Sequence, residues 1–307
     1  MTDRLLAAIL HFFDGEDPVT RAEIRAALER ELAAAGPQAV LDLKTNVTAD
    51  YGWAYYAPDP LARRIHHRLA DRFLTRDSQL FGAEHFAVVG EAPVVMFANH
   101  LSYSDANVID ILLRRVGATS LSDRLTAMAG PKIFTSRERR FSSLCFGTIK
   151  VPQSADVSSE DAVLNVREVA RAARSAIDAA RLRLAEGDAL LLFGEGTRSR
   201  RAAMQPMLAG VARYLEDVDA WILPVGLEGS EFLFPVEDAA LHPARVVMRV
   251  GNPFKARDLL AHAREDRRVV MDAVGLAIAG LVSPDYRGAY ANAADFPDAS
   301  AALAKSL

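Results

Sequence analysis

The sequence predicts an α/β fold, a mixed central sheet covered by helices on both faces over residues 81–307, preceded by a small helical N-terminal domain over residues 1–80. Three observations lead there. Before about residue 85 the apolar residues recur at helical spacing, whereas after it short β-rich runs alternate with long helical patterns. Among those runs PVVMFA reads as a strand buried on both faces, as in sheets sandwiched by helices. The 307 residues are half apolar and a quarter charged, which suits one large or two modest globular domains with a proper core.

Taken in order, Leu5, Leu6, Ile9, Leu10, Phe12 and Phe13 form the apolar face of a first helix. Acidic Asp14, Glu16 and Asp17 beside Arg4 favour packing on neighbours over an interfacial membrane helix. Thr20 with Glu23 three places on reads as a capping box, the stretch AEIRAALERELAAAG as its helix, and Gly36 as the stop. A further helix fits Leu61 to Leu74, with His66 and His67 on a solvated charged face. The strand candidates are then HFAVV, PVVMFA, RLTAMA, GTIKV, ALLLF, AWILPVGL and ARVVMRV, and helical patterns cover 160–186 and 263–282. The Ala-rich tail after Tyr290 is expected as a surface strap or a frayed end.

Composition excludes several classes of function. A single cysteine, Cys145, excludes an internal disulfide framework and a cysteine-rich zinc site, and within the run SSLCFG it reads as a small core residue rather than a nucleophile. A net charge of -4 provides no global field toward nucleic acid or anionic membrane. No His, Cys and carboxylate cluster has metal-ligand spacing, so no metal is expected. Without a signal-peptide pattern, and without an apolar run near the roughly 20 residues that span a bilayer, the expected location is cytoplasmic, with peripheral membrane contact left open.

Two stretches carry the chemistry. In FANHLSYSD, residues 97–105, a buried strand runs into His100, and Asp105 follows about one turn later at the start of the helical pattern DANVIDILLRR. Ligands gather at the carboxyl ends of such strands, although Asp105 also suits a plain helix N-terminus. In ALLLFGEGTRSR, residues 189–200, a second buried strand ends in Glu195 flanked by Gly194 and Gly196, then Thr197 and Arg198. The glycines permit a tight turn and close ligand approach, and Arg198 offers the planar fork that recognises phosphate.

The pair NHLSYSD and FGEGTRS resembles the first and third signature motifs of the glycerolipid acyltransferases, the family of glycerol-3-phosphate and lysophosphatidate acyltransferases. Leu223-Pro224-Val225 is similar to the family's fourth motif, so the resemblance spans roughly residues 85–230. The helical N-terminal region and AGPKIFTSRERRFSSLCFGTIKV, residues 129–151, look most like the soluble glycerol-3-phosphate branch. There are two departures. The usual proline before the motif glutamate is Gly194, and the second-motif arginine has no clear counterpart, Lys150 being the nearest cation.

The resemblance implies acyl transfer from a thioester, acyl-CoA or acyl carrier protein, to a hydroxyl of glycerol 3-phosphate, a lysophosphatidate or another polar alcohol or amine. These are co-substrates, and no bound cofactor is implied. His100 would be the general base and Asp105 its orienting partner, as in a serine-hydrolase triad whose serine is the substrate's own hydroxyl. Glu195, Gly196, Thr197, Arg198 and Lys150 would bind substrate, Glu195 by acceptor hydroxyls or by organising its loop. Backbone N–H groups near the glycine turn would hold the oxyanion.

Arg167, Arg171, Arg174 and Arg181 recur at helical spacing, and Arg137, Arg139 and Arg140 form a second basic cluster. Each is either a solvated face or a docking site for acyl carrier protein, coenzyme A phosphates or anionic lipid headgroups. Two other classes compete with acyl transfer. A nucleotide-binding enzyme would use the strand leading into Gly194-x-Gly196, but a third glycine and a G-K-[ST] are missing. A non-catalytic lipid-binding protein on the same fold would tolerate loss of His100.

Overall fold

A computed structural model describes residues 2–152, 165–235 and 241–307. The chain opens with α1 (Thr2–Leu10) and α2 (Pro18–Thr48). Leu5, Leu6, Ile9 and Leu10 are buried, so the face of α1 is spent in the core rather than offered to a membrane. Helix α2 begins at Asp17, whose carboxylate accepts from the N–H groups of Val19 and Thr20, with Pro18 at the first helical position. Thr20 therefore lies inside the first turn, not at the expected cap. Gly36, at φ +81°, does break the helix, but Pro37 restarts it at once and the element runs on to Thr48.

After β1 (Tyr55–Tyr56), the single helix expected over Leu61–Leu74 is two, α3 (Pro60–Arg68) and α4 (Ala70–Phe73). The short β2 (Gln79–Phe81) precedes α5 (Phe86–Val89), which replaces the expected strand HFAVV. Its four apolar residues have no period of their own to decide between strand and helix. Gly82 and Gly90, both at positive φ, bracket it as a single helical turn.

The β-rich half follows the sequence closely: β3 (Val94–Ala98), α6 (Asp105–Arg115), α7 (Thr119–Asp123), β4 (Leu125–Ala129), α8 (Arg137–Ser143), β5 (Gly147–Lys150), α9 (Val166–Ala185), β6 (Ala189–Phe193), β7 (Trp221–Glu228) and β8 (Val247–Val250). Strand β9 (Phe254–Lys255) leads into α10 (Ala256–His262), α11 (Arg267–Ala279), α12 (Pro284–Arg287) and α13 (Pro297–Ser306). The Ala-rich tail is thus neither strap nor frayed end, because α13 buries Ala299 and Ala302 in the core shared with α10 and α11.

The strands form one mixed sheet in the order β1-β5-β4-β6-β3-β7-β8-β2, with β9 also pairing to β7. Central β3 runs parallel to both β6 and β7, in register Ala98 with Phe193 and with Val225. Their carboxyl ends consequently open at one edge. Val94, Met96 and Ala98 face a core built with α1, α2, α3 and α6, while Val95 and Phe97 face one built with α9, α10, α11 and α13. The N-terminal helices share the first of these cores, and the boundary expected at residue 80 falls inside β2.

Candidate active site

Strand β3 ends in a way that explains its asparagine. The fully buried Asn99 donates through its amide to the carbonyl of Leu227 (2.9 Å) and accepts from the N–H of Leu227 (2.7 Å). Its side chain thus continues the pairing to β7 after the β3 backbone has turned away. His100 comes next, and the β6 loop grips its main chain on both sides. Its N–H donates to Glu195 Oε1 (2.8 Å) and its carbonyl accepts from the N–H of Ser199 (2.7 Å).

Asp105, fully buried at the first residue of α6, fixes the ring. Its Oδ2 accepts from the Leu101 and Ser102 N–H groups (2.7 and 2.9 Å) and lies 2.8 Å from His100 Nδ1. Oδ1 accepts from the hydroxyl of Ser230 (2.7 Å), which follows β7. An acceptor-only carboxylate with all these donors demands that Nδ1 carry a proton, leaving the Nε2 lone pair free. The imidazole stacks on Phe193 at 4.2 Å and 20° and remains 18% exposed at its side chain, toward a cavity of about 940 Å³. Of the two roles the sequence left open, the carboxylate takes ring orientation: Ser104 stands at the N-cap of α6, and the Asp105 oxygens bond only groups outside that helix.

Glu195 lies beneath the site, 4% exposed, its Oε2 accepting from the N–H of Gln205 (2.7 Å). Burial pushes its carboxyl up to about 7, outweighing the two N–H donors that pull it down. Gly196 sits at φ +70°, with Leu208 where a Cβ would be. At Gly194 small size matters instead, because an added Cβ would meet Met207 Sδ at 2.5 Å. Gly196, Thr197 and Arg198 line the cavity. The N–H of Gly196 donates to the Phe193 carbonyl, so of the glycine-turn donors it is already used, whereas those of Thr197 and Arg198 have no acceptor among the described residues.

A histidine with a free, cavity-facing Nε2, oriented by a buried carboxylate, can accept a proton from a bound hydroxyl. Residues 77–228, which include all of these groups except Ser230, match the family model described as Acyltransferase. Over that segment the chain belongs to the Acyltransferase family. Among solved structures it is similar to the 1-acyl-sn-glycerophosphate (LPA) acyltransferase PlsC from Thermotoga maritima, at 17% identity and a TM-score of 0.48, covering 92% of this chain and 96% of that one. No curated protein matches it.

Several expectations for this acyltransferase are corrected. Lys150 is taken up by Asp50 (3.2 Å), packs near Trp53 and Phe134, and is not among the cavity's lining residues. The basic cluster is dispersed: Arg137 is exposed, Arg140 is buried on the rings of Tyr56 and Phe134, and only Arg139 reaches the cavity. Along α9, Val169 and Ala173 line the cavity, whereas Arg167 and Arg171, each two positions and hence about 200° away, lie on the far side; Arg174 is likewise exposed and not among the lining residues. Arg181 pairs with Asp217.

His66 and His67 are not a solvated face. His66 is 3% exposed, and both imidazoles approach Asp110 Oδ2, at 3.3 and 2.7 Å, while Arg63 and Ser122 hold Oδ1. The three groups cluster as metal ligands can, yet a guanidinium already compensates this carboxylate and His67 already bonds it. No helix among the described residues is long and apolar enough to cross a membrane. Cys145 is buried, which raises its thiol well above the ordinary range, and plays the core role expected of it.

Sequence reasoning missed Ser230, Lys132, Arg139 as a cavity residue, and Arg213. Only for Ser230 was a signal present, a polar residue directly after the fourth-motif strand at the same sheet edge.

Proposed function

We propose that this acyltransferase moves a fatty acyl group from a thioester, acyl-CoA or acyl carrier protein, to a hydroxyl of glycerol 3-phosphate or a related phospholipid precursor. His100 is the general base. Its Nε2 takes the hydroxyl proton as the oxygen attacks the thioester carbonyl. The resulting imidazolium is stabilised by Asp105, and the C–S bond breaks as the thiolate leaves and takes that proton back. The N–H groups of Thr197 and Arg198, unengaged at the cavity wall, are the donors that fit the developing oxyanion. Arg198 binds the acceptor phosphate, and the apolar lining that includes Ala127, Phe146, Leu192 and Val211 receives the acyl chain. Glu195 acts on the loop rather than on substrate, with both oxygens committed to backbone N–H groups.

The observation that carries this reading is the fully buried Asp105, saturated with donors and 2.8 Å from the Nδ1 of a cavity-facing His100. It is tested by thiol release from acyl-CoA and from acyl carrier protein, with glycerol 3-phosphate or lysophosphatidate as acceptor. Acceptor-dependent release in the wild type that disappears in His100→Ala is the expected result. Undiminished release in the variant overturns the assignment of the base.

A further inference from the structure

Beside the catalytic cavity lies a second pocket, of about 430 Å³, where the mutually packed helices α1, α2 and α8 meet. Arg4 of α1, Arg21 and Arg25 of α2 and Arg137 of α8 line it against two carboxylates, Asp14 and Glu138. Arg21 spends its charge on Asp14, which His11 also bonds. The other three guanidiniums are exposed and, among the described residues, form no ion pair, whereas Arg63, Arg183 and Arg267 each do. Three helices thus bring three unpaired cations to one hollow. Like charges gathered without counter-charges repel and add nothing to folding, so the arrangement fits an anionic ligand.

The pocket adjoins the site already described. His11 and Glu138 line both spaces, and their chain neighbours Phe12 and Arg139 line the catalytic cavity alone. A long molecule with its reacting end at His100 has these arginines beside the way out.

The chemistry of the donor says which molecule has that shape. With the thioester carbonyl at His100 and the acyl chain in the apolar lining, the remainder of the donor leaves the cavity as a neutral pantetheine arm. In coenzyme A that arm ends in a pyrophosphate and a ribose 3′-phosphate, a multiply charged group of small-molecule size, and a pocket of several hundred Å³ is the size that holds such a group. A folded carrier protein is too large to enter this hollow, and its arm ends in one phosphodiester. A membrane surface fits less well, because the apolar face of α1 is buried through Leu5, Leu6, Ile9 and Leu10 and the arginines line a concavity, not a plane.

We propose that this pocket seats the phosphates of a coenzyme A thioester on Arg4, Arg25 and Arg137, and that acyl-CoA is therefore the donor this chain is built to use. The proposal rests on the acyl-transfer reading above and deepens it by choosing between the donors. The arginines bind the donor at the far end of its arm from the transferred group, so recognition of the phosphates is separable from the chemistry at His100.

The test compares acyl-CoA with acyl-pantetheine, which has the same thioester and no phosphate, using whichever of glycerol 3-phosphate and lysophosphatidate the wild type acylates. The wild type favours acyl-CoA in kcat/KM. Arg25→Ala removes one charge-assisted contact, so that preference falls about 10- to 100-fold through the KM for acyl-CoA, and Arg137→Ala does the same. Acyl-pantetheine is the internal reference, since a misfolded variant loses both donors alike. Independently of activity, titration calorimetry with adenosine 3′,5′-bisphosphate, the phosphate-bearing fragment of coenzyme A, shows binding to the wild type that weakens about 10-fold or more in Arg25→Ala.

Equal use of acyl-CoA and acyl-pantetheine by the wild type would overturn the proposal. So would a preference left intact in both variants, or turnover of acyl carrier protein thioesters with none of acyl-CoA. Loss of binding to phosphatidylglycerol vesicles in Arg25→Ala, with adenosine 3′,5′-bisphosphate binding unchanged, would hand the pocket to a membrane surface and overturn it too. A wild type that acylates neither acceptor from any donor overturns the acyl-transfer reading itself, whereas an active wild type matched by both variants overturns only the donor pocket.

Discussion

Glu195→Gln tests whether the buried carboxyl beneath His100 is a strut whose charge costs stability. The side chain is 4% exposed, and its pKa is raised from 4.5 to about 7 by burial. A carboxyl that holds its proton more tightly in the folded than in the unfolded chain favours folding most below 4.5, and that contribution is lost as pH rises through about 7. A rise of that size, from 4.5 to about 7, corresponds to about 3 kcal/mol. Glutamine stays neutral at every pH, so the variant lacks this loss. It carries its own penalty, because Oε1 and Oε2 accept from the N–H groups of His100 and Gln205 and one of those donors will face an amide NH2. An unsatisfied buried donor costs about 1–3 kcal/mol. Urea unfolding at a series of pH values from 5 to 8 therefore finds the variant less stable than wild type at the acid end, with the deficit shrinking by about 3 kcal/mol toward the alkaline end. Parallel stability curves would refute the reasoning, since the wild-type group would then titrate alike in both states.

Asp105→Asn removes the acceptor that holds the proton on His100 Nδ1, and the ring turns to the wrong tautomer. By the logic of hydrolase triads, kcat falls about 10³- to 10⁴-fold with little change in KM, measurable by thiol release. Asp110→Asn strips a buried carboxylate from Arg63, Ser122 and His67 at once and costs about 3–5 kcal/mol in urea unfolding at neutral pH. Burial pushes the Asp110 carboxyl up, but His66, His67 and Arg63 together outweigh it and hold the group well below the usual range, so its stabilisation is present above 3.8 and fades as pH falls, and the variant's acid limb is correspondingly flatter. Ala173→Leu adds bulk to the α9 wall of the cavity, so competition between acyl donors of different length shifts toward shorter chains, and an unchanged preference would place the acyl chain elsewhere.

The sheet was legible because its strands are strong local signals. PVVMFA, ALLLF and AWILPVGL are buried on both faces, and no helical period competes with them. Where the local signal was weak the reading failed, as at HFAVV, whose four apolar residues make one turn of helix, and at the tail, whose alanines disclose helix but not what they pack against. The histidine pair failed for a different reason. HHRLADR looks solvated when read along the chain, and only the arrival of Asp110 from α6 turns the same residues inward.

The same distinction separates what could and could not be seen of the site. His100 and Glu195 stand just beyond the ends of β3 and β6 and Asp105 opens the helix after β3, so their positions follow from the parallel pairing of those strands and are visible in two short stretches of sequence. Arg139 and Lys150 are both cations near the second motif, and nothing in spacing distinguishes them. Asp50, arriving from the end of α2, neutralises one and leaves the other facing the cavity. A carboxylate a hundred residues away thus decides which of the two side chains lines the cavity, and no local pattern in the sequence announces it.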